Sequence, residues 1–240
     1  MIISIAAEGI ATFFSFKITN AMLATLIVDG FLLMTALKIK ASGLAWLPGG
    51  FQNLVEFIIE IFYDFAKSIG GDKTNLFFSS IFTFFIFILF SNWVALLPGF
   101  SAIFISEHGV RIPLLRSPSA DLNNTLALGL VSVLLVQYFG FKFHGFAYFK
   151  KFVNLRSPVD FFVGVLELIL ELAKIVSFGF RLFGNIFAGE VLLLIAGFLL
   201  PFLSPIPVLG LELFVGFIQA LVFTTLTLVF LSMAVSEAVH

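Results

Sequence analysis

The stretch PVDFFVGVLELILELAKIVSFGFRLFGNIFAGEVLLLIAGFLL, running from Pro158 to Leu200, decides how this chain is read. No proline interrupts it after the first residue, and apolar residues dominate throughout. At ~1.5 Å per residue a helix of this length reaches about 64 Å. A bilayer's hydrocarbon core is only about 30 Å thick. An unbroken helix must therefore tilt to about 60° from the membrane normal, beyond the ordinary range of roughly 0–40°. Near its middle stands Arg181. An arginine in hydrocarbon costs at least about 2.5 kcal/mol, and it cannot shed its proton to escape that cost. The expectation is a functional residue that faces a partner or a wet cavity.

The rest of the chain has the same character. Of 240 residues 60% are hydrophobic and 11% charged, against about 25% charged in soluble domains. A membrane protein follows from composition alone. The 35 Phe residues suit lipid-facing surface. A net charge of −1 gives no pull toward nucleic acid. Cysteine is absent and the three histidines are scattered, so thiol chemistry is excluded and neither a metal site nor a cofactor is expected. No glycine-rich phosphate loop occurs. The start, Met1-Ile2-Ile3-Ser4, lacks a basic leader and a cleavage site and reads as mature protein.

Working outward, residues 1–17 read as an outer N-terminal segment and 18–37 as a first span, closed by Lys38, Lys40 and Pro48. Residues 51–69 repeat apolar side chains at helical spacing, with Glu56, Glu60, Asp64 and Lys67 opposite. This predicts an amphipathic surface helix whose acidic face suits a protein partner. Residues 76–97 and 122–141 read as the second and third spans. Asp121, just before the third, fits a helix cap as well as a channel mouth. Residues 158–200 and 208–238, on either side of Pro201, Pro205 and Pro207, form a long, strongly tilted hairpin. The fold expected is an all-α, single-domain membrane protein over residues 1–240, with five membrane-embedded helices and one surface helix. Charge orients it. Lys38, Lys40, Lys67, Lys73, Lys142, Lys150, Lys151 and Arg156 fall on one side, and Lys17, Arg111 and Arg116 on the other. The first set belongs inside, which puts the C-terminus in the cytoplasm.

Helical geometry sorts the buried polar residues. Glu167, Lys174 and Arg181 recur every seventh residue and share a face, with Glu171 nearby and Asn185 a turn beyond Arg181. Glu190 falls on the opposite face and should point into the chain's own bundle. On the returning helix Glu212 and Gln219 share a face. Antiparallel pairing would bring Glu190 and Glu212 to one depth and Gln219 near the level of Arg181. Carboxylates thus stand on both sides of one buried cation, the layout of two half-paths that do not join. Asn185 and Gln219 also fit plain helix-to-helix hydrogen bonds. Ser177, Gly179, Gly184, Ala188 and Gly189 would let another helix approach closely. No partner for Asp29, inside the first span, is readable.

The residues Phe180-Arg181-Leu182-Phe183-Gly184-Asn185-Ile186-Phe187-Ala188-Gly189-Glu190 resemble the signature of subunit a of bacterial F-type ATP synthases. So do Pro48 to Glu56, Asn92-Trp93 with Leu96-Leu97-Pro98, Ser119 to Leu126, Gln219-Ala220 and Leu231 to Ala234, so the likeness covers nearly the whole chain. The resemblance implies a stator subunit of the membrane Fo sector, non-catalytic on its own, that offers two offset half-channels to the rotating c-ring. Arg181 would meet ring carboxylates and block a direct leak. Glu190, Glu212, Gln219 and Asn185 would serve ion translocation, with Glu167, Glu171 and Lys174 on the inner half-channel. Implied partners are the c-ring, the peripheral stalk b subunits, the other synthase subunits, the bilayer, and protons or sodium. One departure is visible: Glu212 stands where some bacterial members carry histidine. A bacterial plasma membrane is the expected location, with an organelle inner membrane as the alternative. The rival function is a self-contained secondary transporter or ion channel, although no internal repeat supports it.

Overall fold

The computed structural model describes residues 7–13, 16–42, 49–97, 100, 104–107, 110–152, 157–199 and 205–236. Pro48, Pro98, Arg156, Leu200 and Pro201, used above to bound spans and to orient the chain, lie outside them. The described residues form an all-α membrane protein built on α1 (Asn20–Ser42), α2 (Gly50–Gly70), α3 (Phe78–Val94), α4 (Leu122–His144), α5 (Pro158–Leu199) and α6 (Pro205–Ser236). Four of these, α1, α4, α5 and α6, are long and apolar enough to cross a membrane. The segment read as a second span is shorter than expected. A 3-10 turn, Gly71–Leu76, precedes α3, and α3 itself has 17 residues, at the lower end of what spans.

Two small antiparallel hairpins went unread in the sequence. β1 (Gly9–Phe13) pairs with β2 (Phe16–Thr19), and β3 (Phe104–Glu107) pairs with β4 (Val110–Pro113). Ile18 and Thr19 belong to β2, so the first helix begins two residues after the expected span. Strands of four or five residues carry too little alternation to stand out in so apolar a chain.

Local chemistry sets the helix ends. Asp121 caps α4 by accepting the Asn123 N–H at 3.0 Å. Gly145 ends α4 and Gly71 ends α2, each at φ 60, a conformation that glycine adopts without strain. Pro158 and Pro205 open α5 and α6, where a missing N–H costs nothing.

The core is aromatic. Phe62 of α2 stacks on Phe85 of α3 at 4.5 Å, and Phe178 of α5 meets Phe223 of α6 at 4.8 Å. Lipid tails are as apolar as these side chains, so close packing and hydrogen bonds must hold the helices together. A Cβ on Gly129 of α4 would lie 2.8 Å from the Ile175 carbonyl oxygen, and one on Gly179 of α5 would lie 2.6 Å from Leu126 Cδ2. These two glycines let α4 and α5 interlock. Buried Ser132 and Thr227 join α4 to α6 through a 2.8 Å hydrogen bond. Asn92 Nδ2 donates to the Gly216 carbonyl at 2.9 Å and Trp93 Nε1 to that of Leu213 at 3.1 Å, which ties α3 to α6.

Candidate functional site

α5 and α6 run antiparallel. Phe178 meets Phe223, and Gly189 meets Glu212, whose Oε1 lies 2.5 Å from where a Cβ at position 189 would stand. On that register Gln219, half-buried, lies level with Leu182, next to Arg181. The two helices thereby carry polar groups at both ends of the bundle.

At the end where α5 begins, a cavity of about 530 Å³ opens between α4, α5, α6 and the 3-10 turn Gly145–Lys151. Its lining takes in Glu167, Glu171, Lys174, Ser177 and Arg181, all from α5. The seven-residue spacing seen in the sequence is therefore one wall of one cavity. Lys151 reaches Glu167 at 2.7 Å, and Lys174 reaches Glu171 at 2.8 Å while lying 4.4 Å over the Phe230 ring. The Cβ absent from Gly164 is what lets the carbonyl of Phe152 rest on α5, so the turn closes onto the helix beside this cavity.

Arg181 is exposed. Its Nη2 donates to Ser177 Oγ at 3.4 Å, a long contact, and among the described residues no carboxylate pairs with it. Asn185 and Gly184 are exposed beside it, and a Cβ on Gly184 would meet nothing within 4 Å. The two glycines that flank Arg181 thus play different parts: Gly179 is spent on α4 and Gly184 is open.

At the other end Glu190 turns into the chain, and its Oε2 lies 3.7 Å from Arg116 Nε. Arg116 belongs to the segment between β4 and α4, and its side chain is only 10% exposed. Glu212 Oε1 is buried with no hydrogen-bond partner among the described residues. Sequence reasoning missed both Arg116 and Lys151 as partners of these acids. The available signal was that a carboxylate deep in an apolar helix needs a cation, and on the outer side only Lys17, Arg111 and Arg116 were on offer. Asp29 is exposed on α1. Among the described residues no group of His, Cys, Asp and Glu could hold a metal.

Residues 18–232 match the family model described as ATP synthase A chain. The chain is 36% identical over 202 residues to ATP synthase subunit a of Syntrophobacter fumaroxidans, covering 84% of this chain and 78% of that protein. It is also 36% identical over 225 residues to ATP synthase subunit a 1 of Syntrophotalea carbinolica, covering 94% and 88%. ATP synthase subunit a of Desulfotalea psychrophila is 36% identical over 222 residues, covering 90% and 85%.

Proposed function

The chain belongs to the ATP synthase A chain family, and on that premise we propose that it is the stator against which a ring of c subunits turns. Membership makes it a multi-pass membrane component of the Fo sector that works with other synthase subunits. The finer reading concerns how ions pass. Protons enter at the Glu190–Glu212 end, ride around the ring on its carboxyl groups, and leave through the cavity lined by Glu167, Glu171 and Lys174, so that each carboxylate meets Arg181 without a proton. The entry end faces outward and the C-terminus faces the cytoplasm, as the distribution of lysines favours.

The observation that carries this reading is Arg181 itself. It is a permanent cation on an exposed flank of α5, with no acid paired to it among the described residues, at the inner end of a cavity. A cation of that kind repels a bare proton and attracts a passing carboxylate. An incoming acid releases its proton to the exit half-path as the guanidinium offers its carboxylate charge-assisted hydrogen bonds in its place. The carboxylate then picks up a proton from the entry half-path as it leaves Arg181. The open Gly184 gives a ring helix room to come close. Asn185 lies on the same exposed flank and Gln219 at the same level, each able to orient the guanidinium or the arriving acid. The peripheral stalk b subunits suit the acidic face of α2, where Glu56, Glu60 and Asp64 are exposed.

The test is ATP-driven proton pumping by the assembled complex with Arg181→Ala. Coupled pumping should vanish; its retention would overturn the reading. Ion flux through the isolated chain in liposomes would point instead to a self-contained channel.

A further inference from the structure

The segment from Pro113 to Asp121 is held more firmly than a surface connection needs. Asn20 Nδ2, at the start of α1, donates to the Pro113 carbonyl at 3.3 Å. Ser117 Oγ donates to the Ser91 carbonyl of α3 at 3.3 Å. Asn124 Nδ2 of α4 donates to the Pro118 carbonyl at 2.9 Å. Asn20, Ser117, Ser119 and Ala120 are all buried. Three helices therefore fix the backbone on either side of Arg116, and with it the direction from which a guanidinium can reach α5.

What it reaches is Glu190, at 3.7 Å. The neighbouring residue, Gly189, is the floor on which the Glu212 carboxylate rests. Two acids thus share one small region, and they are not equivalent. Glu190 has a cation presented by a rigid turn, whereas Glu212 Oε1 has no hydrogen-bond partner among the described residues. A carboxylate held away from water needs a counter-charge and a fixed geometry to carry charge at tolerable cost.

We propose that Arg116 is a positioning residue of the proton path: it clamps the Glu190 carboxylate beside Glu212 and supplies its counter-charge, which leaves Glu212 as the movable member of the pair. The inference rests on the proposed function above, because it assigns an internal device to one of its two half-paths. Arg116 touches no ring site and takes no proton. It acts through Glu190.

The experiment uses the complete synthase in inverted vesicles, with pumping rates normalised to assembled complex. Arg116→Gln should slow ATP-driven pumping about tenfold, and Arg116→Lys should keep most of the rate, as coupled neighbours behave. The deciding variant is Arg116→Gln with Glu190→Gln. If Arg116 acts through Glu190, the double variant pumps no more slowly than Glu190→Gln alone. If it loses a further factor equal to that of Arg116→Gln in the wild type, the proposal is overturned. A wild-type rate in Arg116→Gln overturns it as well. Should Glu190→Gln pump below detection, the same comparison is read from the thermal denaturation midpoint of the complex, where the double must lie above Arg116→Gln. Should Arg116→Gln fail to assemble, restored assembly in the double supports the pair and continued failure overturns it. Arg181→Ala, run alongside, separates the two levels. Coupled pumping retained there sinks the stator reading, whatever Arg116 does.

Discussion

The carboxylate of Glu212 rests on Gly189: a methyl group at position 189 would stand 2.5 Å from its Oε1. The atom in the way is the far end of a flexible side chain, so it can move. Gly189→Ala is therefore a displacement experiment, not an unfolding one. We expect assembly and thermal stability to change little, by less than about 1 kcal/mol, while Glu212 is pushed from its place. ATP-driven pumping should fall several-fold. Shortening the acid with Glu212→Asp in the same chain should recover part of the loss. Pumping unaffected by Gly189→Ala would remove the location of Glu212 from the mechanism.

The identity of that acid can be varied too. Glu212→His should keep partial ion transport, since histidine also relays protons. Glu212→Leu should lose it. Full pumping in Glu212→Leu would end any relay role for the residue.

Gly179 and Gly184 separate packing from partner contact. Gly179→Leu drives a side chain into Leu126 and the α4 backbone beneath it. Overpacking of this kind costs about 1–3 kcal/mol, so the accumulated complex should fall, as quantified by immunoblot of membranes. Gly184→Leu meets open space within the chain. It should accumulate normally and yet pump poorly, if the added side chain fills the room proposed for a ring helix. Equal accumulation of the two variants would contradict the packing found here.

The absence of cysteine makes the cavity directly testable. Ser177→Cys lies in its lining. A small water-soluble thiol reagent should label it readily from the cytoplasmic face and far more slowly from the other. Leu194→Cys, on an exposed apolar stretch of the same helix, should resist the reagent from both faces. Labelling from the opposite face alone would invert the proposed orientation.

Asp121 offers a check on stability. Its carboxylate accepts from the Asn123 N–H, so Asp121→Ala should cost about 1 kcal/mol of stability, and Asp121→Asn or Asp121→Ser should cost less. Differential scanning of the purified complex reads the difference. If Asp121→Asn kept full stability but lost pumping, the residue would belong to the proton path as well as to the helix end.

The sequence told unequally about these parts. The long helices were readable because uninterrupted apolar runs have few other solutions, and Arg181 stood out because the bland explanation of a charge in such a run, a structural pair with an internal acid, finds no acid a turn away on its own helix. The shared wall of Glu167, Lys174 and Arg181 followed from spacing alone, since periodicity fixes which residues of one helix face together. Partners across elements do not obey that rule. Lys151 and Arg116 come from connections, where no repeat predicts direction, and their acids were recognisable only as groups in need of a cation. The same limit hid the division of labour between Gly179 and Gly184. Both look like small residues beside an arginine, and only the path of α4 decides which is already covered.

The unbroken course of α5 has one further consequence. Forty-two residues of continuous helix are about twice as long as a hydrocarbon layer of about 30 Å is thick. Glu167 and Glu190 lie roughly 34 Å apart along the axis, and at the tilt expected from the sequence most of that distance would be travelled in the plane of the membrane. Neighbouring helices in a packed ring stand about 8–10 Å apart. A single continuous helix so tilted would therefore face several ring positions at once. Its slant, more than any one residue, would set the gearing: how many teeth of the rotor sit between taking on an ion and giving it up.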